Sequence, residues 1–535
     1  MSGSGPIVGN PKRAFTSPHF LASQTGMDVL ERGGNAIDAM VAAAAMIAVA
    51  YPHMNGLGGD SFWLVHETGS EPWAIDASGC AARAASAGWY DRKALQQIPS
   101  RGPDAALTMA GTVAGWQLAR GTWAANNGDE NLAPLEELFA PAVDKANNGI
   151  VVTESLAAAA AKVSSELRES AGYQQVFTRS GAKLKSGDVF ANPGLGTLLS
   201  ELGSKGLEEF YRGEVGLRVA KALHSMGSPL MAEDFLTYQA KVVTPLVADI
   251  RYGQVFNLPA PTQGFASIML LASYDRLAKE DWKEAEAIHA IIECTKHAFH
   301  LREQWIADPD RVPVNLQMEL SEQAISAVAD KVDLNRVSNW PHFEAGGDTV
   351  WMSACDDQGT MVSFIQSLYW EFGSGVVVPE YGLVWNNRGS SFTLGPGIRE
   401  VGPGRKPFHT LNPALLLHND GSRIAFGTMG GEGQPQTQAA MIMRHLYMGE
   451  SIERSVASPR WLLGRTWGDS DHGLKIEEDL DPSILAALRR RGHEFTILPA
   501  RNENMGHAGM LKDDVSLGLT AASDPRSDGL ALTAG

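Results

Sequence analysis

Four features of this 535-residue chain combine residue types and spacing that can do chemistry. Gly346-Gly347-Asp348-Thr349 sets a flexible glycine pair and a carboxylate before a threonine that opens a strand-forming run, Val350-Trp351-Met352. Its hydroxyl is a nucleophile if a base activates it. Taken alone, the same four residues also describe an ordinary tight turn into a strand. Gly430-Gly431 permits a close approach of backbone N–H groups to a developing oxyanion, an approach that a side chain would obstruct. Arg388 carries a planar fork suited to a carboxylate. His289, Glu293, His297 and His300 recur at three- or four-residue spacing, as zinc ligands on a helix can. That last group lacks the adjacent His-Glu pair of the metalloprotease signature, and no metal or other cofactor is expected.

The elements that must position these residues change character along the chain. Ser17 to Ala50 has helical spacing, broken at Gly33-Gly34-Asn35, so two helices in series are expected. Gly56-Leu57-Gly58-Gly59-Asp60 reads as a tight turn feeding the strand Ser61 to Val65, with a second strand over Pro72 to Ala77. Leu132 to Lys221 is mostly helical in pattern, and Ala285 to Trp305 reads as one long helix stopped before Asp308-Pro309. After Gly347 the texture becomes β: a hairpin joins Val350-Trp351-Met352 to Met361 through Ile365 across Asp356-Asp357-Gln358-Gly359. Further strands are expected at Gly382 to Trp385, Ala414 to His418 and Ile424 to Thr428, and helices at Gln436 to Leu446 and Pro482 to Arg491. Strands and helices segregate by region, which favours stacked layers over βαβ repeats.

Composition narrows the function classes. A formal net charge of -17 leaves phosphate backbones little to hold, so nucleic acid is not an expected partner. The most apolar stretch, Ala36 to Ala50, is shorter than the roughly 20 residues of a membrane span and reads as a buried helix. No membrane association is expected. Met1 to Ala14 has no basic segment followed by an apolar run, and Cys80, Cys294 and Cys355 form no CxxC pair. A cytoplasmic location is the expectation.

Several separated segments, in order, resemble the gamma-glutamyltransferase family of N-terminal-nucleophile hydrolases. They are Gly33 to Ala39 (GGNAIDA), Gly56 to Asp60 (GLGGD), Gly111 to Gly115 (GTVAG), Pro259 to Gly264 (PAPTQG), Gly347-Asp348-Thr349, Phe372 to Gly375 (FGSG), Trp385-Asn386-Asn387 and Gly430-Gly431. The resemblance implies an α+β fold, the four-layer αββα sandwich, and self-cleavage between Asp348 and Thr349. It thus implies a large chain 1–348 and a small chain 349–535 that stay together as one αββα unit, a heterodimer that can pair again. Cleavage matters chemically because the new α-amino group, with a pKa of about 7.7 to 8.0, is the base that the threonine hydroxyl lacks. Thr349 then attacks an amide, the amine or ammonia leaves, and water releases the acyl group. By the same resemblance Gly430 and Gly431 line the oxyanion hole, and Ser367, eighteen residues after Thr349, orients the nucleophile.

Other positions depart from the transferases. Ser78 stands where the family has the arginine for the substrate's α-carboxylate, and Arg83 comes five residues too late to replace it. Ser391 replaces an aspartate, Tyr369 an asparagine, and His409-Thr410 a pair of serines. The clamp for an amino-acid head group is therefore missing, while Arg388 is a new cation. The segments Gly347 to Met352, Val362 to Ser367, Trp370 to Val377 and Asn387 to Phe392 resemble the oxamate amidohydrolase branch of the family. The substrate-binding set expected from this is Arg388, Tyr369, Ser391, His409 and Thr410, acting on a small amide that carries a carboxylate, with oxamate giving oxalate and ammonia. Competing expectations are a gamma-glutamyl transferase or glutathione hydrolase, a beta-lactam side-chain acylase, and an unprocessed homologue that only binds a ligand.

Overall fold

Alternation along the strand Thr360–Tyr369 sorts its side chains between two cores: Val362, Phe364 and Leu368 enter one, Met361 and Ile365 another. The same sorting recurs in Asp60–Glu67, where Trp63 and Val65 face one way and Phe62 and Leu64 the other. A strand buried on both faces needs a layer on each side, and the computed structural model supplies both. It describes residues 10–179, 181–340, 348–464 and 471–535.

Among the described residues the first sheet has seven strands. In spatial order they are Leu530–Ala534, Arg13–Ser17, Asp348–Cys355, Thr360–Tyr369, Asp60–Glu67, Trp73–Ala77 and Lys241–Val243. The second has six: Gly518–Ser523, Ala508–Asp514, Arg423–Thr428, Ala414–His418, Gly253–Asn257 and Leu246–Ile250. Every pairing in these two sheets is antiparallel. Phe62, Trp351, Ile365, Leu415, Ala425 and Leu511 fill the space between them. Outside the first sheet lie Ala36–Ala50 and Thr112–Asn127; outside the second lie Gly264–Leu277, Glu284–Trp305 and Gly433–Ile442. This is the αββα sandwich of the N-terminal-nucleophile hydrolases. Both sheets draw strands from before and after Thr349, so residues 10–340 and 348–535 share both sheets.

Local sequence explains the elements that reach the site. Asn35 caps Ala36–Ala50 by accepting from the Asp38 amide, and every residue of that helix is buried, consistent with its lack of a polar face. Among the described residues no helix is long and apolar enough to cross a membrane. Trp351 wedges between the sheets: a Cβ on Gly427 or Gly509, paired on the facing strands, would lie 2.2 or 2.5 Å from its indole. Only residues without a side chain let the sheets close over it.

The expected elements appear with shifted ends. The first helices run Phe20–Glu31 and Ala36–Ala50, the second strand is Trp73–Ala77, and the long helix is Glu284–Trp305. Gly382 to Trp385 contracts to a two-residue strand, Leu383–Val384. The helix expected from Gln436 begins earlier, at Gly433, and ends at Ile442, where the chain widens into a π turn over Met443–Tyr447.

Candidate active site

Thr349 sits where strand pairing skips. Asp348 pairs with Tyr369 and Val350 with Gln366, so Thr349 alone stands opposite Ser367 and Leu368, an irregularity of the β-bulge type. Tyr369 closes it with a left-handed backbone, φ +86°, and its amide donates to the Ser367 Oγ at 2.8 Å. On the other side Ser367 pairs with Asp60. Thr349, Ser367 and Asp60 thus form a row across three strands, and the alternation that sends Trp351, Ile365 and Phe62 between the sheets aims all three there. Thr349 is fully buried, and its Oγ1 has no hydrogen-bond partner. Of the processing-site residues, Gly346 and Gly347 lie outside the described residues.

The Gly58-Gly59 turn is there for close approach. A Cβ on Gly58 would meet the Val384 carbonyl at 2.0 Å, and one on Gly59 the Ser367 carbonyl at 2.1 Å. Asn386 bolts this turn to the next: its Nδ2 donates to the Gly58 carbonyl at 2.9 Å, while its Oδ1 accepts from the Arg388 amide at 3.0 Å. The Arg388–Ser391 turn is thereby held against Tyr369, and the Arg388 guanidinium stacks 3.8 Å above the Tyr369 ring.

Arg388 is almost wholly buried, and among the described residues its only polar side-chain contact is a long one, 3.5 Å from Nη1 to the Thr410 Oγ1. Nε and Nη2 are unpartnered. Burial drags the guanidinium down to about 10, against the opposing pull of Tyr369 and Asp60. His409 is buried with both ring nitrogens unpartnered, and its Nε2 lies 3.5 Å from the Asp60 Oδ2. Burial, and then Arg388 and Lys406, hold the imidazole neutral well below its usual range. Asp60 receives the Gly79 amide on Oδ1 at 2.7 Å and nothing on Oδ2; burial raises it to about 7, with Arg388 pulling the other way. Buried polar groups without partners are rare, and here they converge on one spot.

Gly430 and Gly431 follow the strand Arg423–Thr428, at φ +115° and +53°, and lead into the helix Gly433–Ile442. Their amides donate to no described group. Behind them runs a buried relay. Gln263 donates from Nε2 to the carbonyls of Gly431 (2.8 Å) and Thr410 (2.7 Å) and accepts from Arg302 on Oε1 (3.0 Å), while Arg302 pairs with Glu432 at 2.8 Å. The Pro259–Gly264 turn also holds His409, whose amide donates to the Pro261 carbonyl and whose own carbonyl accepts from the Gln263 amide.

A model of the gamma-glutamyltranspeptidase family matches residues 22–534. The chain belongs to the gamma-glutamyltranspeptidase family. It is 45% identical to the oxamate amidohydrolase proenzyme of Klebsiella pneumoniae subsp. pneumoniae, over 96% of this chain and 97% of that protein. It is 34% identical to the glutathione hydrolase-like YwrD proenzyme of Bacillus subtilis, over 98% and 99%. A cephalosporin acylase from Bacillus halodurans matches in structure with a TM-score of 0.89 at 28% identity, over 99% of this chain and 97% of the other. These likenesses make the chain an amide-hydrolysing enzyme.

Within this family member, the residues expected from sequence divide in two. Thr349, Ser367, Tyr369, Arg388, His409 and Thr410 are joined through strand pairing, Asp60 and the Arg388 side chain, and Gly431 shares the Gln263 side-chain amide with Thr410. Ser391 is turned away: its hydroxyl donates to the carbonyls of Arg388 and Phe408, so it braces the turn. Ser78 donates to Asp76 at 2.5 Å, and Lys406 occupies the other Asp76 oxygen at 2.6 Å. Asp60, Gln263, Arg302 and Lys406 escaped sequence reasoning as site residues. Asp60 and Gln263 lie inside motifs already singled out, where a polar residue among glycines and prolines was the available signal.

The histidine helix is arranged otherwise than its spacing suggested. His289, Glu293 and His493 meet, with potential ligand atoms within 4.8 Å of one another. His289 hydrogen-bonds to His493 at 2.7 Å and to the Asp333 carbonyl, and Glu293 accepts from Lys296 and Ser338. His300 bonds Gln304 instead. These atoms are already engaged in packing.

Proposed function

We propose that the chain matures by cleavage before Thr349 and hydrolyses the amide of a small carboxylate-bearing acid, oxamate to oxalate and ammonia being the reaction favoured. The observation that carries the reading is Arg388: a buried guanidinium with two unpartnered nitrogens, beside the nucleophile row, is a seat for an anion. The oxamate amidohydrolase relative supports the choice of substrate.

In the precursor the Thr349 hydroxyl attacks the Asp348 carbonyl, the N-to-O shift gives an ester and frees the Thr349 α-amine, and water cleaves the ester to release the Asp348 carboxylate and restore the hydroxyl. In turnover the free α-amine takes the hydroxyl proton as Oγ1 adds to the amide carbonyl. The oxyanion is received by the amides of Gly430 and Gly431, at the N-terminal side of a helix whose dipole favours negative charge. The amine proton then passes to the departing nitrogen, ammonia leaves, and water hydrolyses the acyl ester. Arg388 holds the carboxylate throughout. Ser78 offers no cation for a gamma-glutamyl head group, which argues against glutathione as the preferred substrate.

The test is a direct comparison on the processed enzyme: ammonia release from oxamate against release of the anilide from a gamma-glutamyl anilide. Faster turnover of oxamate is expected. Faster release of the anilide would overturn the substrate reading.

A further inference from the structure

Asp60 is a buried carboxylate whose Oδ2 has no hydrogen-bond partner among the described residues, and His409, whose Nε2 lies 3.5 Å from it, has two ring nitrogens likewise unpartnered. A relay that only held the fold together would satisfy these atoms. His409 is also fixed: its backbone is clamped by the Pro259–Gly264 turn, and its ring packs edge-on against Phe62, with 5.0 Å between centroids. It can hardly move away from Asp60, and its Nδ1 remains unpartnered.

We propose that Asp60 is a positioning residue for carboxylate recognition: it holds the Nε2–H of His409 so that Nδ1–H points at the anion, and the pair takes up one proton as the anion binds. The inference rests on the carboxylate reading of the site given above and specifies how that anion is neutralised. Before an anion binds, and above about pH 7 where Asp60 is ionised, one cation, Arg388, faces one carboxylate, Asp60. An entering carboxylate adds a second negative charge in a place shielded from water, where an uncompensated ion is costly. A proton from solvent restores the balance by converting neutral His409 to imidazolium between two carboxylates. When product leaves, the proton leaves with it, so no net acid or base is consumed. The other groups whose charge acts on the pair are Arg388, Lys406, Asp76, Cys80, Tyr211 and Tyr238. Lys406 is already neutralised by Asp76. The tyrosines and the Cys80 thiol are pushed upward by burial and stay neutral. The Thr349 α-amine created by cleavage titrates near the same range, so a difference between variants is the quantity to read.

The probe is oxalate, which stays ionised from pH 7.5 to 8.5 where Asp60 is ionised too, binding to processed enzyme by calorimetry in buffers of different ionisation enthalpy. The wild type is expected to take up about one proton more than Asp60→Asn, and its affinity to fall about tenfold per pH unit more steeply. Asn keeps an acceptor for the Gly79 amide. His409→Gln, which retains a polar side chain but cannot be protonated, is expected to lose the same proton and guards against a misfolded Asp60 variant. Wild-type proton uptake in either variant would overturn the role of Asp60 and His409 while leaving the carboxylate seat standing. Failure of oxalate, oxamate and glyoxylate alike to bind the wild type would overturn the seat itself, and this inference with it.

Discussion

Thr349 and Ser367 occupy adjacent strands where the ladder between them is broken, so that one residue of the first strand stands opposite two of the second. A regular pairing would tie up the backbone on both sides of Thr349. The skip leaves the peptide before Thr349 outside the regular ladder, while the strand beyond it, locked by Trp351 between the sheets, stays rigid.

Removing the hydroxyl should stop maturation. Thr349→Ala is expected to run as one band of 57.3 kDa on a denaturing gel, where the parent gives two bands summing to that mass. Thr349→Ser should still split, more slowly. Two bands from the alanine variant would place the cleavage chemistry elsewhere.

Arg388 should matter for substrate capture, and lysine should not replace it. Loss of a charge-assisted pair is worth about 1.5 to 3 kcal/mol, so Arg388→Lys is expected to raise KM for oxamate by roughly 10- to 100-fold with a smaller change in kcat. A lysine presents a point charge without the fork and cannot stack on Tyr369 in the same way. Steady-state ammonia release gives both constants.

Gln263 is expected to act through the glycine pair. With Gln263→Ala the carbonyls of Gly431 and Thr410 each lose one of their donors and Arg302 loses an acceptor. The expectation is a fall in kcat of about 10- to 100-fold, within the roughly 3 to 4 kcal/mol that an oxyanion donor provides, with KM changed little. A loss confined to thermal stability, with kcat intact, would make the relay purely structural.

Of the glycine pair, Gly430 has the more strained backbone for a side chain, φ +115° against +53°, and a Cβ there would meet the Gly506 Cα at 3.4 Å. Gly430→Ala should fold, because the strain is local, yet lose about 100-fold or more in kcat as the amide is displaced. Circular dichroism beside ammonia release separates the two effects.

The pH dependence of stability should carry the mark of Asp60. Its carboxyl is raised to about 7 in the folded chain by burial, so between its unfolded value and 7 the folded state binds more protons than the unfolded one. The sign follows: stability declines as pH rises through this window, by about 1.4 kcal/mol per unit at most. In the full-length Thr349→Ala chain the melting temperature should drop more between pH 5 and 7 than in a Thr349→Ala, Asp60→Asn double variant. Equal drops would show that Asp60 is ionised throughout.

Much of the site could be read from the sequence because glycine and threonine positions answer to local geometry. Gly58-Gly59 is required where backbones nearly touch and Gly430-Gly431 where φ is positive, and such requirements stay visible in the chain itself. Gln263 and Asp60 were harder to see, since their roles depend on carbonyls and rings delivered from segments about 150 and 350 residues further along the chain. Ser391 shows the converse: alignment by counting placed it at the site, and two backbone carbonyls claimed its hydroxyl. The strand Arg13–Ser17 and the three strands from Ala508 onward escaped for a related reason. They are short stretches with a weak apolar alternation; Arg13–Ser17 and Leu530–Ala534 are recruited by each other from opposite ends of the chain, and Ala508–Asp514 by Arg423–Thr428 and its neighbour Gly518–Ser523. His493 likewise reaches the histidine helix only through folding.

Because residues on both sides of Thr349 contribute strands to both sheets, the two halves cannot be built separately and brought together later. A severed large chain would expose half of each sheet to water and to other chains. The order of events is therefore set by architecture: translation as one polypeptide, folding, then scission. Maturation doubles as a check on folding, since the chain that can cut itself is the chain that has already built its catalytic site.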